Sequence, residues 1–225
     1  VGLLRPIPFP GAVKKRQHLS FYTLDEQIAL IRLGLDLMAQ VGVEGIRAFR
    51  AGSFASNADT YRALHVCGID VDSSLNAVCA DSGPDLRGQL DFTSPQDFEG
   101  VRILPMTVFQ DGTGRQRPAQ LGACSFAELR GALESAEKLG VEHFVLLSHN
   151  FEMLKQGRSE PDAIVVRRFE ALCRYLASQR DRFTVSTVAM LPTSAPAQRA
   201  ASLPSAGLPA TLWRHGEQLA RRFLG

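Results

Sequence analysis

No apolar run in this 225-residue chain approaches the roughly eighteen residues that a membrane-crossing helix needs. No secretory signal is visible in these residues. No Gly-rich phosphate loop of either common kind is present, so nucleotide binding has little support. Cysteines are few: Cys67, Cys79, Cys124 and Cys173 match neither zinc-ligand spacing nor a dense disulfide framework. Cys67 and Cys173 fall in helical patterns among apolar neighbours. The expectation is therefore buried free thiols, all four reduced, in a cytoplasmic protein. A strong charge of one sign is also lacking. The net charge of +2 gives no global pull toward nucleic acid or a membrane surface. The Lys14-Lys15-Arg16 run suits an acidic glycan or a phosphate but is too short to indicate nucleic acid.

What is present is ordinary globular material: 45% apolar and 21% charged residues, enough for one sizeable domain with a full core. The chain begins at Val1, and its first ten residues hold three prolines without periodicity. They read as a loop entered from elsewhere, so the expectation is that a segment was removed or that the chain is part of a longer polypeptide.

Capping signals divide the chain. Thr23 with Glu26, and Ser125 with Glu128, are capping boxes, and Ser56-Asn57-Ala58-Asp59 opens a further helix. The first helix presents Ile28, Ile31, Leu35 and Met38. The second ends at Gly68, placed as a left-handed terminal residue. A fourth helix, with Pro161 in its first turn, presents Val165, Phe169, Leu172, Cys173 and Leu176. A last weakly amphipathic stretch, Leu212 to Leu224, puts Arg214, Arg221 and Arg222 on its polar side. Strands are expected at Ile46 to Phe49, Ile69 to Val71, Val101 to Phe109, His143 to Ser148 and Phe183 to Val188. Of these, His143 to Ser148 is the most strand-like, apolar on both faces as a covered parallel strand is. Residues 76–100 form a long excursion. Alternation of this kind predicts an α/β fold with mostly parallel strands, either open or barrel-shaped. Residues 1–191 form the α/β domain, and 192–225 a Pro/Ala-rich arm with a C-terminal helix.

Two of these strands stop at residues able to do proton or charge chemistry. Ile46 to Phe49 ends at Arg50, and the later run ends at Ser148-His149-Asn150. Active sites of α/β proteins collect where strands end. A third short strand reaches Asp72-Ser73-Ser74. Each has a plainer reading. Arg50 suits an ion pair, His149 a hydrogen-bonded structural role, and Asp72 with its serines the bracing of a loop. Glu152 is a second carboxylate near His149 and reads as solvent-facing. Ser53 and Ser148 are candidate nucleophiles, but neither sits in a Gly-x-Ser-x-Gly elbow.

Phe49-Arg50-Ala51-Gly52-Ser53-Phe54, followed by Asn57, Asp59, Thr60, Leu64, Gly68 and Asp72-Ser73-Ser74, resembles the polysaccharide deacetylase family. Leu147-Ser148-His149 looks like that family's late leucine-x-histidine motif, and the likeness runs from about Leu19 to Thr187. The resemblance implies a partial or deformed (β/α) barrel and metal-assisted removal of acetyl groups from a carbohydrate. Arg50 then orients a catalytic base, His149 is the general acid, and Asp72 fixes its imidazole. Ser53, Phe54, Ser148 and Asn150 line the substrate. The family holds a divalent metal, zinc above all, through an aspartate and two histidines that precede the arginine segment. This chain has no Asp-Asp pair and no His-x-x-x-His, so those ligands and the base are expected upstream of Val1. The partner implied is an acetylated carbohydrate, with neither nucleic acid nor membrane involved. The alternative is a catalytically inactive relative that binds a glycan or a protein.

Overall fold

A computed structural model describes residues 16–191 and 202–224. The expectations for residues 1–15, including Lys14 and Lys15, and for the Pro/Ala-rich arm at 192–201 lie outside the described residues.

The three capping signals read from the sequence are realised. Helix α1, Leu24–Gln40, opens on the Thr23/Glu26 box; α2, Ala58–Val66, on Asn57 with Thr60; α3, Phe126–Lys138, on the Ser125/Glu128 box. Gly68 follows α2 with φ of +77°, the left-handed stop. Asp162, not Pro161, caps α4, Ala163–Ser178, so the proline stands one residue outside the helix. The buried face of α4 also differs from the expected stripe. Ile164, Val165, Arg168 and Leu172 are buried, whereas Cys173 is exposed and Phe169 is 39% exposed. All four cysteines are free thiols.

The main sheet has four strands: β1 (Ala48–Phe49), β2 (Val71–Asp72), β3 (Gln96–Phe98) and β4 (Val101–Ile103). Their spatial order is β1-β2-β4-β3. The β1, β2 and β4 neighbours are parallel, and β3 lies antiparallel to β4. Glu99 and Gly100, both with positive φ, make the two-residue hairpin between β3 and β4. Gly100 also abuts α2: a Cβ there meets His65 Nδ1 at 2.5 Å. Helices α1 and α2 cover the sheet through Ile31, Tyr61, Leu64, Val101 and Ile103.

The expected strand from Val101 to Phe109 is broken at Leu104–Thr107, where Pro105 has no N–H to give a ladder. The chain resumes as a second, two-stranded antiparallel sheet, β5 (Val108–Gln110) with β6 (Gln116–Pro118). A second core of Met106, Phe109, Leu121, Leu129, Leu133, Leu147, Val165 and Leu172 lies beneath α3 and α4.

Residues 143–148 do not form the expected strand. They run extended, with one parallel bridge from Leu147 to Gln120 and bonds from Leu147 N to Ala119 O (2.9 Å) and from Leu121 N to Leu147 O (3.0 Å). Residues 183–187 form no strand either. Between the two stretches lies an open cleft of about 710 Å³, lined by Phe144, Leu146, Leu172, Leu176, Phe183 and Val185. The architecture is α/β with mixed sheets, mostly parallel in the larger one, and no closed barrel forms among the described residues. None of the described helices is long and apolar enough to cross a membrane.

Residues 202–224 are knitted into this body. Gln110 exchanges backbone bonds with Pro204 and Ala206, and Ala206 belongs to the second core. Helix α5, Leu208–Leu224, docks by its basic side. Arg214 is buried between Glu128 (2.9 Å) and Asp111 (3.2 Å), and Arg221 holds Asp162 at 2.7 Å. Leu212, Trp213 and Leu219 are exposed instead, the reverse of the polarity read from sequence.

Candidate functional site

Parallel register sets one edge of the site. Phe49, Asp72 and Ile103 are aligned across β1, β2 and β4, so the residues after them emerge together at the carboxyl ends of the strands. Arg50 follows β1, is exposed, and forms no ion pair among the described residues. The chain then turns sharply through Ser53 and Phe54, both at positive φ (56° and 57°). Such a conformation is uncommon for residues other than glycine, and two in succession store strain in this turn. Ser53 is exposed, and Phe54 packs against the second core.

Asp72 braces that turn from within. It is fully buried, and its carboxylate accepts from Ser74 Oγ (2.6 Å) and Ser74 N (2.7 Å), and from the Tyr61 hydroxyl. Ser74 Oγ in turn accepts from Ala51 N at 2.8 Å, tying the Arg50 turn to the Asp72 turn. The two segments form one unit through this serine. Asp72 therefore acts as a structural brace, and it is not the partner of the His149 imidazole that the resemblance implied. A buried carboxylate finds its acceptor bonds among its own nearest donors.

Burial pushes the Asp72 carboxyl up to about 6, against the bonds from Ser74, Tyr61 and Ser73 that favour its charge. Burial and the neighbouring Asp72 also raise the Tyr61 hydroxyl. An acid whose folded-state value exceeds its unfolded one keeps its proton longer in the folded state. The folded protein therefore loses stability as pH rises from about 4 to about 6, reaching a deficit of about 3 kcal/mol above that range. Asp72→Asn cannot ionise, so urea unfolding from pH 4 to pH 7 should show the variant gaining on wild type through that window. A pH-independent difference between the two would refute this.

His149 has a different partner from the one expected. It precedes a single 3-10 turn, Asn150–Met153, which brings Glu152 back beneath the ring. Glu152 Oε1 lies 2.8 Å from His149 Nδ1. The imidazole is 38% exposed and the Glu152 side chain 9%. Glu152 is thus an inward-facing carboxylate, not the solvent-facing one read from sequence. It also accepts from Gln120 Nε2 (2.5 Å) and Gly122 N (2.9 Å). The exposed Phe151 ring stacks on the imidazole, centroids 4.8 Å apart and planes 23° from parallel. Ser148 and Asn150 are exposed beside it, and Asn150 Oδ1 accepts from Phe151 N.

Sequence reasoning missed Glu152's role, and with it Gln120 and Gly122. The available signal was the three-residue spacing of His149 and Glu152, which one helical turn converts into contact. Nothing in the sequence marked Gln120 and Gly122, which lie in the connection from β6 to α3. Among the described residues no three His, Cys, Asp or Glu side chains come together to hold an ion. The divalent metal implied by the resemblance has no donor set in them.

No family model matches the chain, and no curated protein or solved structure matches it.

Proposed function

We propose that this is a hydrolase that removes acetyl groups from a carbohydrate, built on a partial or deformed (β/α) barrel, with His149 as the proton-transfer group. The observation that carries the reading is a part-exposed imidazole whose Nδ1 is held by a largely buried carboxylate. That arrangement leaves Nε2 for a substrate, the geometry of a general acid–base histidine. Nε2 takes a proton from water as the water adds to the acetyl carbonyl, and the water's oxygen leaves in acetate. The bond from the carbonyl carbon to the sugar nitrogen or oxygen breaks, and the same proton passes from Nε2 to that leaving atom. The ring is thereby returned to its starting form. Arg50, with no ion-pair partner among the described residues, is a cation for a polar group of the sugar or for an anionic substituent. The parallel carboxyl edge carrying Arg50, and the apolar cleft of about 340 Å³ where β1 meets Ile31, Leu35 and Met38, support an open barrel.

The test is acetate release from N- and O-acetylated oligosaccharides by the purified protein. Turnover is the expected result. Saturable glycan binding without acetate would refute catalysis and favour a second reading, a binding domain. That second reading rests on the stacked His149 and Phe151 rings, whose exposed aromatic face suits the apolar face of a sugar.

A further inference from the structure

We propose that Glu152 is the positioning residue for His149 and that the peptide of Gly122 sets Glu152 in place. As a statement about catalysis this rests on the reading above; as a statement about the imidazole it stands on geometry alone. Glu152 is held from three directions. Gln120 Nε2 and His149 Nδ1 meet Oε1, and Gly122 N donates to Oε2. Gly122 is also held through the peptide group that follows it. Its carbonyl accepts from Arg168 Nη1 (3.4 Å) and Arg221 Nη1 (3.5 Å), which arrive on α4 and α5. Both arginines are anchored, Arg168 to Glu217 and Arg221 to Asp162. The carboxylate is thus aimed by the amide of a residue whose own carbonyl is held by two helices.

Gly122 also has a steric reason to be glycine. A Cβ at this position lies 2.7 Å from Glu152 Oε2 and 3.0 Å from its Cδ. Its φ lies outside the left-handed region, so alanine costs no backbone strain there. Gly122→Ala therefore displaces the Glu152 carboxylate without touching His149. An acceptor at Nδ1 fixes the neutral ring as the Nδ1–H tautomer and leaves a bare Nε2 toward solvent. A free imidazole favours the opposite tautomer.

The experiment uses the protein with 15N-labelled histidine and two-bond 1H–15N correlation above pH 8. A His149→Ala sample identifies the signal among the five histidines. Wild type should show His149 as the Nδ1–H form. Glu152→Ala and Gly122→Ala should each return it to mainly Nε2–H, with the other histidines unchanged. The same tautomer in wild type and both variants, or Nε2–H in wild type, overturns the proposal. The variants act at different residues, so if one fails to fold the other decides. On an acetylated saccharide, each should lower kcat about tenfold or more with KM little changed. Absence of turnover in wild type defeats the functional reading, while the tautomer still decides this one.

Discussion

His149→Ala is expected to lower kcat for acetate release by about 10²–10⁴-fold, the usual worth of a positioned acid–base group. KM should stay within about twofold, because in the proposed reaction the ring acts on proton transfer to the leaving atom and not on holding the sugar. The site is suited to this test. The imidazole is part-exposed, so its removal opens no core cavity, and Glu152 keeps the Gln120 and Gly122 donors. Steady-state kinetics with circular dichroism as a folding control separates lost chemistry from lost structure. Unchanged kcat removes His149 from the mechanism. A rise in KM alone assigns the ring, stacked on Phe151, to sugar binding.

The second large effect concerns the anchoring of α5. Arg214→Ala should destabilise the protein by about 3–5 kcal/mol, because it strands buried carboxylates without their cation. Arg214 is 5% exposed, Asp111 2% and Glu128 0%, so water cannot take over the missing contacts. Each acid has other duties that prevent it from turning away. Asp111 Oδ1 accepts from Thr113 N and Oγ1 to close the hairpin between β5 and β6. Burial alone would push the Asp111 carboxyl up. The bonds from Thr113 and Arg115 and the charge of Arg214 outweigh it, and the carboxyl lies below its ordinary value. Glu128 Oε2 accepts from Ser125 N in the capping box of α3. Urea unfolding measures the loss, and a change under about 1 kcal/mol would mean that the cluster is hydrated in solution. Because α5 also carries Arg221 to the Gly122 carbonyl, loosening this helix should reach the His149–Glu152 pair as well.

The polarity of α5 shows why such clusters escape a reading of the sequence. A helix with arginines on one side and leucines on the other is ordinarily taken to dock through the leucines. Here Asp111 and Glu128 wait on the body of the protein, 103 and 86 residues away in the chain. Their desolvation is offset only if the basic face turns inward. Residues 143–148 teach a related lesson. Their apolar run is that of a covered strand, but a strand also needs a paired edge. The 183–187 stretch stands off across a cleft, leaving a single bridge.

Part of the fold was written locally. The starts of α1, α2 and α3 and the stop at Gly68 follow from the residues at each end, because a cap is a bond between a side chain and a backbone amide three positions away. The placement of Arg50 at the carboxyl end of a parallel strand was legible for the same reason: a short apolar run followed by a turn needs no distant partner to be recognised. Tertiary structure alone decided that Asp72 also serves Tyr61, that Gln120 and Gly122 serve Glu152, and that α5 turns its arginines inward. A carboxylate bonds to whichever donors remain within reach once water has been excluded. The distant ones among those donors, Tyr61 for Asp72 and Gln120 and Gly122 for Glu152, are chosen by packing and not by neighbours along the chain.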